Sequence, residues 1–156
     1  MASLALAARL VVAAAFLVAG VLKLRAGRAL RPQVAAFGVP TAAAPAVAIF
    51  LPLIELTAGL ALLVFVRSPI PAWIALGLLA VFTGAVAANL ANGRHVPCPC
   101  FGTSISDVSA GTLLRNGWLL VLAVVGTAGI AGATIGATMA WAVGLGLVTV
   151  VLLRRP

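Results

Sequence analysis

From residue 113 to residue 153 the chain carries a single charge, Arg115, in a run of Leu, Val, Ala and Gly. Drawn out as one helix, this run is about 60 Å long, roughly twice the hydrocarbon thickness of a bilayer. It must fold back on itself, and the small residues at 126–136 mark the reversal, leaving apolar segments at 113–129 and 134–153. Three further runs have the same character, at 10–22, 43–66 and 72–92. Lipid offers the backbone no hydrogen-bond partners, so segments of this kind cross it as helices, which satisfy their own N–H and C=O groups. The expected fold is therefore all-α. It is one domain over residues 1–156, a polytopic transmembrane bundle of five helices, with four helices plus a re-entrant or interfacial segment as the alternative. The expected place is the cell membrane, crossed several times.

Composition closes off the water-soluble alternative. With 64% hydrophobic and 8% charged residues, the chain lacks the polar surface to cover a soluble globule. Its formal charge of +8 invites a nucleic-acid reading, but the chain has no basic groove interleaved with stacking aromatics. Basic residues of membrane proteins collect at helix ends, where phospholipid headgroups receive them. Arg9 followed by a short apolar core also has the form of a secretory signal peptide. The apolar chain beyond it does not read as a soluble mature domain, so the segment is read as a retained first transmembrane helix.

Inside this apolar frame a few polar residues stand out. Arg9 and Lys23 bracket the first span roughly 21 Å apart along a helix axis, less than the ~30 Å of hydrocarbon. At least one of them must snorkel or find a partner. Glu55, the only glutamate, lies near the middle of the second span. A carboxylate at that depth is costly unless neutral, paired or wetted, which makes it a candidate functional residue. Lys23 is its natural counter-ion, and the pair is expected either to lock the first two spans together or to take part in function. Asn89 closes the third span, and Arg115 and Asn116 open the fourth.

The connector at 25–41 repeats Arg25, Arg28 and Arg31 at every third position, a spacing that shares one helical face. Val34 and Phe37 would supply the apolar side of a short helix lying among the headgroups.

Both cysteines and the only histidine fall in His95-Val96-Pro97-Cys98-Pro99-Cys100, within the loop at 93–112. Two thiols separated by one proline have three fates: a strained disulfide, a soft-metal site, or an idle reduced pair. A disulfide wants Cα atoms about 4.4 to 6.8 Å apart, so i and i+2 close only through a kink. Pro97 and Pro99 restrict the backbone in a way that favours one. Strained, accessible disulfides are the exchange-prone ones, and Arg94, protonated His95 and a helix N-terminus all favour the thiolate. Zinc or copper is the rival, although two cysteines and one histidine leave a monomeric site one ligand short.

Sidedness gives opposed signals. Five crossings place the first connector, the cysteine loop and the C-terminus together on the more basic side, cytoplasmic by the positive-inside rule. Disulfides persist on the oxidising outer side. The sequence leaves both open.

In order along residues 10–121, Gly20-x-x-Lys23-Leu24-Arg25, Phe37-Gly38-x-Pro40, Leu51-Pro52-x-x-Glu55-Leu56-x-x-Gly59, Cys98-x-Cys100-Phe101-Gly102 and Arg115-Asn116 resemble the MauE family of membrane proteins. That family is part of the wider DoxX-like group. The resemblance implies a polytopic bundle associated with thiol redox and methylamine utilisation. In the family, MauE is thought to act with a thioredoxin-like partner in forming disulfides of the methylamine dehydrogenase small subunit. Carried over, Cys98 and Cys100 would be the catalytic redox pair, while Lys23 and Glu55 match further family positions. Pro99 stands where glycine is frequent.

The resulting expectation is a membrane thiol-disulfide redox protein that relays oxidising equivalents to a thioredoxin-like or other cysteine-containing partner. A quinone near Glu55, Asn89 and Arg115 is one acceptor to which the electrons could pass, although no sequence motif marks a quinone site and no cofactor is fixed by the sequence. A heavy-metal, copper-like binding or transport protein using Cys-Pro-Cys, and a non-catalytic membrane subunit of an oxidoreductase complex, are the alternative readings.

Overall fold

A computed structural model describes residues 1–93, 110–128 and 133–153. The described residues form helices and turns, with no strand: α1 (Ala2–Ala26), α2 (Leu30–Ala36), α3 (Ala44–Val64), α4 (Ile70–Ala91), α5 (Ala110–Gly126) and α6 (Ile135–Leu153). Four apolar helices are long enough to cross a membrane, namely α1 with its continuation into α2, α3, α4 and α6. The fifth, α5, is a shorter apolar helix of 17 residues, about 25 Å long, at the lower limit for a crossing. The all-α bundle read from the apolar runs is thus the observed fold.

Local sequence explains the helix starts. Proline lies in the first turn of both α3 and α4, where its missing N–H costs no hydrogen bond and its fixed φ suits the helix. The described residues of α5 run from Ala110, about one turn before the apolar run read from the sequence.

α1 is the axis of the bundle. It packs along α3, α5 and α6, and 61% of its apolar window is buried, against 11% for α6. Alanine makes this possible: Ala5, Ala7, Ala8 and Ala13 of α1 are fully buried, and small side chains let helix backbones approach closely where lipid supplies no hydrophobic drive. At the α1–α3 crossing the approach is closest. A Cβ on Gly20 would stand 2.7 Å from Leu56 Cγ and 3.0 Å from the Pro52 carbonyl, and one on Gly59 would stand 2.9 Å from Leu17 Cγ.

After α1 the chain turns at Gly27 (φ 53°) through one 3-10 turn, Gly27–Ala29, into α2. Leu30 and Val34 of α2 are buried against Ala44 and Ala48 of α3, so the apolar side of this connector helix docks as its pattern suggests. The arginines behave differently. Arg25, Arg28 and Arg31 are all exposed, but they lie on α1, the 3-10 turn and α2 in succession. The break at Gly27 removes the single continuous face that their spacing implies.

Phe37, Val86, Leu90 and Leu113 pack together. This cluster gathers the end of α2, the last turns of α4 and the first turn of α5 at one end of the bundle. Residues 94–109, with His95, Cys98 and Cys100, join α4 to α5 at that end and lie outside the described residues, as do the centre of the turn between α5 and α6 and the C-terminal Arg154 and Arg155.

Candidate functional site

The central position of α1 carries Lys23 into the bundle, and the close crossing at Gly20 and Gly59 brings Glu55 of α3 beside it. Lys23 Nζ donates to Glu55 Oε1 at 2.5 Å and to Oε2 at 2.8 Å, with side-chain exposures of 5% and 2%. The expected pair is therefore made. At that depth each charge is tolerable only because the other neutralises it. The ammonium also lies 5.8 Å from the centroid of the Phe82 ring of α4, within the range of a cation–π attraction.

The pair forms part of the wall of a cavity of about 310 Å³ that is otherwise almost entirely apolar. Phe16 of α1, Phe37 after α2, Leu51 of α3 and Phe82 of α4 line it, and α5 contributes Asn116. Asn116 is 4% exposed, yet among the described residues its side-chain amide has no hydrogen-bond partner. The lining also reaches Val81 on the outer side of α4, which is 69% exposed, so the cavity opens toward the lipid-facing surface. On its other side Lys23 borders a second, more polar pocket with Gly27, Arg28, Arg31 and Ala48.

The structure thus assembles part of the grouping expected from the sequence. Glu55 and Lys23 meet at the cavity. Asn89 is buried, but its Nδ2 donates to the Ala85 carbonyl of its own helix at 2.9 Å, and it is not among the lining residues. Arg115 is half-buried on α5 and is also outside the lining; its neighbour Asn116 occupies the wall instead. Cys98 and Cys100 fall outside the described residues, and the metal reading, which rests on them and His95, falls there too.

One buried charge has partners that sequence reasoning did not supply. Arg9 of α1 is 3% exposed, and its guanidinium gathers the backbone where α3 and α5 end. Nε donates to the Gly126 carbonyl at 2.5 Å, Nη1 to the Val66 and Ser68 carbonyls, the latter at 3.1 Å, and Nη2 to the Ala128 carbonyl at 3.3 Å. Gly126 is the last residue of α5, and the last carbonyls of a helix lack intrahelical donors and carry the negative end of its dipole; Val66, Ser68 and Ala128 belong to the turns that follow α3 and α5. A planar cation with five donors suits that position. Both charges that bracket α1 are therefore satisfied inside the bundle, one at each end. The only hint in the sequence was that Arg9 lies too deep to leave alone.

The family model of methylamine utilisation protein MauE matches residues 1–129 of the chain. No curated protein and no solved structure matches the chain.

Proposed function

Because the chain belongs to the MauE family, a membership that makes it a multi-pass membrane protein linked to methylamine utilisation, we propose that it is a thiol-disulfide relay. In this reading Cys98 and Cys100 alternate between disulfide and dithiol. The observation that carries it is the family match itself, which runs through the whole Cys98-Pro99-Cys100 segment and the helices on either side.

The chemistry is a pair of exchanges. A thiolate of the partner attacks one sulfur of the Cys98–Cys100 disulfide, breaking that S–S bond and forming a mixed disulfide. The partner's second thiolate then attacks the mixed bond, leaving the partner oxidised and Cys98 and Cys100 as a dithiol. Two electrons and two protons pass from partner to relay. A ring closed through a single intervening proline is strained, and strain raises the oxidising power of a disulfide. The partner is a thioredoxin-like protein, or the cysteine-containing client it serves, such as the small subunit of methylamine dehydrogenase.

Trapping tests this. With one of Cys98 and Cys100 replaced by serine, the remaining thiol holds the partner as a mixed disulfide that survives acid quenching and disappears on reduction. Cys98→Ser/Cys100→Ser together remove it. An adduct that persists in the double variant, or that forms in neither single variant, overturns the relay.

A further inference from the structure

We propose that the cavity beside Lys23 and Glu55 binds the headgroup of a lipid-soluble quinone, a flat conjugated ring with two carbonyl oxygens, with Lys23 and Asn116 as hydrogen-bond donors to it. The inference rests on the relay reading in one respect: it names the class of molecule that reoxidises Cys98 and Cys100. The binding site itself stands on residues of the described bundle.

An ammonium has three N–H donors. Two of those on Lys23 are spent on the oxygens of Glu55, and one is left on a residue that lines the cavity. Asn116 adds a buried amide with no partner among the described residues, on the same lining. Leaving such a group unpaired costs free energy unless a ligand or water completes it. An acyl chain cannot do so, since it has no acceptor. A headgroup that carries carbonyl oxygens supplies one to each donor, and an uncharged one adds no charge to a site where Lys23 and Glu55 already neutralise each other. Phe16, Phe37 and Phe82 offer ring surfaces to a flat conjugated ligand. The opening past Val81 gives an apolar tail a way out into lipid. A largely apolar pocket with a few convergent polar groups is the usual form of a small-molecule site.

The cavity also reaches the end of the bundle from which the chain leaves for the cysteine segment. Its lining includes Phe37 and Val86, members of the cluster that caps the end of the bundle where α4 and α5 hand the chain to the cysteine segment. Val86 is about 8 Å along the helix from Ala91, the last residue of α4. The redox step balances. As the sulfur–sulfur bond forms, the two thiols lose two electrons and two protons, and the quinone takes both up, its two carbonyls becoming hydroxyls.

The test is photolabelling of the purified full chain in nanodiscs with an azido derivative of decylubiquinone, followed by mapping of the labelled peptides. Label is expected on α1, α4 or α5 segments that contain lining residues, and excess decylubiquinone displaces it where excess phosphatidylglycerol does not. Asn116→Leu weakens decylubiquinone binding about tenfold, the effect of losing one buried hydrogen bond. Ala85→Phe, which fills the cavity, abolishes it, and Val143→Phe on the exposed side of α6 leaves it unchanged. Each variant is first checked for the elution profile and helix content of the parent.

Labelling confined to the outer surface, equal displacement by phosphatidylglycerol, or unchanged affinity in folded Asn116→Leu and Ala85→Phe overturns the proposal. Cys98→Ser/Cys100→Ser separates the two readings, because it stops partner trapping and leaves quinone binding intact. If trapping holds while quinone binding fails, the relay survives and takes its oxidising power from elsewhere.

Discussion

Lys23 Nζ bridges both carboxylate oxygens of Glu55, at 2.5 and 2.8 Å, joining the central helix α1 to the α3 helix that packs most extensively against it. In this pair the only glutamate of the chain meets one of the two basic residues buried among the described residues. The other, Arg9, sits 14 positions earlier on the same helix and closes the opposite end of the bundle through backbone carbonyls.

Removing one member of the Lys23–Glu55 pair strands the other charge. Lys23→Met or Glu55→Leu alone is expected to destabilise the bundle by about 3–5 kcal/mol, whereas the double replacement recovers most of the loss, since apolar pairs often match buried ion pairs in stability. Thermal or denaturant unfolding of the four proteins in one detergent checks this. Additive losses in the double variant would show that the two residues act independently.

Arg9→Leu leaves the Gly126 carbonyl and the carbonyls of the turns after α3 and α5 without their shared donor, at an expected cost of about 2–4 kcal/mol for buried acceptors left unsatisfied. Arg9→Lys restores only part of it, because a single ammonium cannot reach the set of carbonyls that the planar guanidinium spans. The measurement is the unfolding midpoint, with protease sensitivity of the 65–69 turn as a local report. Full recovery by lysine would show that charge alone, without the fork geometry, is what matters.

The crossing of α1 and α3 has no room for a side chain at Gly20. Gly20→Ala places a Cβ against Leu56 Cγ and the Pro52 carbonyl and is expected to cost about 1–3 kcal/mol as an overpacked contact. Gly77→Ala, where nothing lies within 4 Å of the new Cβ, is expected to be neutral or slightly stabilising in its helix. A reversed order in unfolding measurements would contradict the close approach.

Cys98 and Cys100 are expected to react with a membrane-impermeant maleimide in intact cells or spheroplasts only after reduction, as a resting disulfide exposed to water requires. Mass analysis of the labelled chain reads both thiols at once. Absence of labelling from either side of the membrane after reduction would remove the exchange chemistry.

Much of this arrangement is legible in the sequence, for a thermodynamic reason. Whether a segment enters lipid depends on its own apolar content, so runs of residues announce the spans with little reference to the rest of the chain. The pairing of Lys23 with Glu55 is legible for a related reason: the spans hold a single carboxylate, and a buried carboxylate needs a cation. The connector helix shows the limit. Its apolar side docks as its pattern suggests, but one residue, Gly27, breaks the face on which the three arginines were to align.

What the sequence determined by itself is a lipid-embedded all-α bundle with an obligatory partner for Glu55. Tertiary structure alone decided that α1 is the axis, that Arg9 is bound by the last carbonyl of α5 and by carbonyls of the turns after α3 and α5, and that Asn116 lines the cavity while Asn89 turns back onto its own helix. The reason is physical. Carbonyls belong to every residue and leave no trace in the order of side chains, and which of two similar amides faces a cavity depends on the rotation of a helix against its neighbours. A local preference for lipid sets neither.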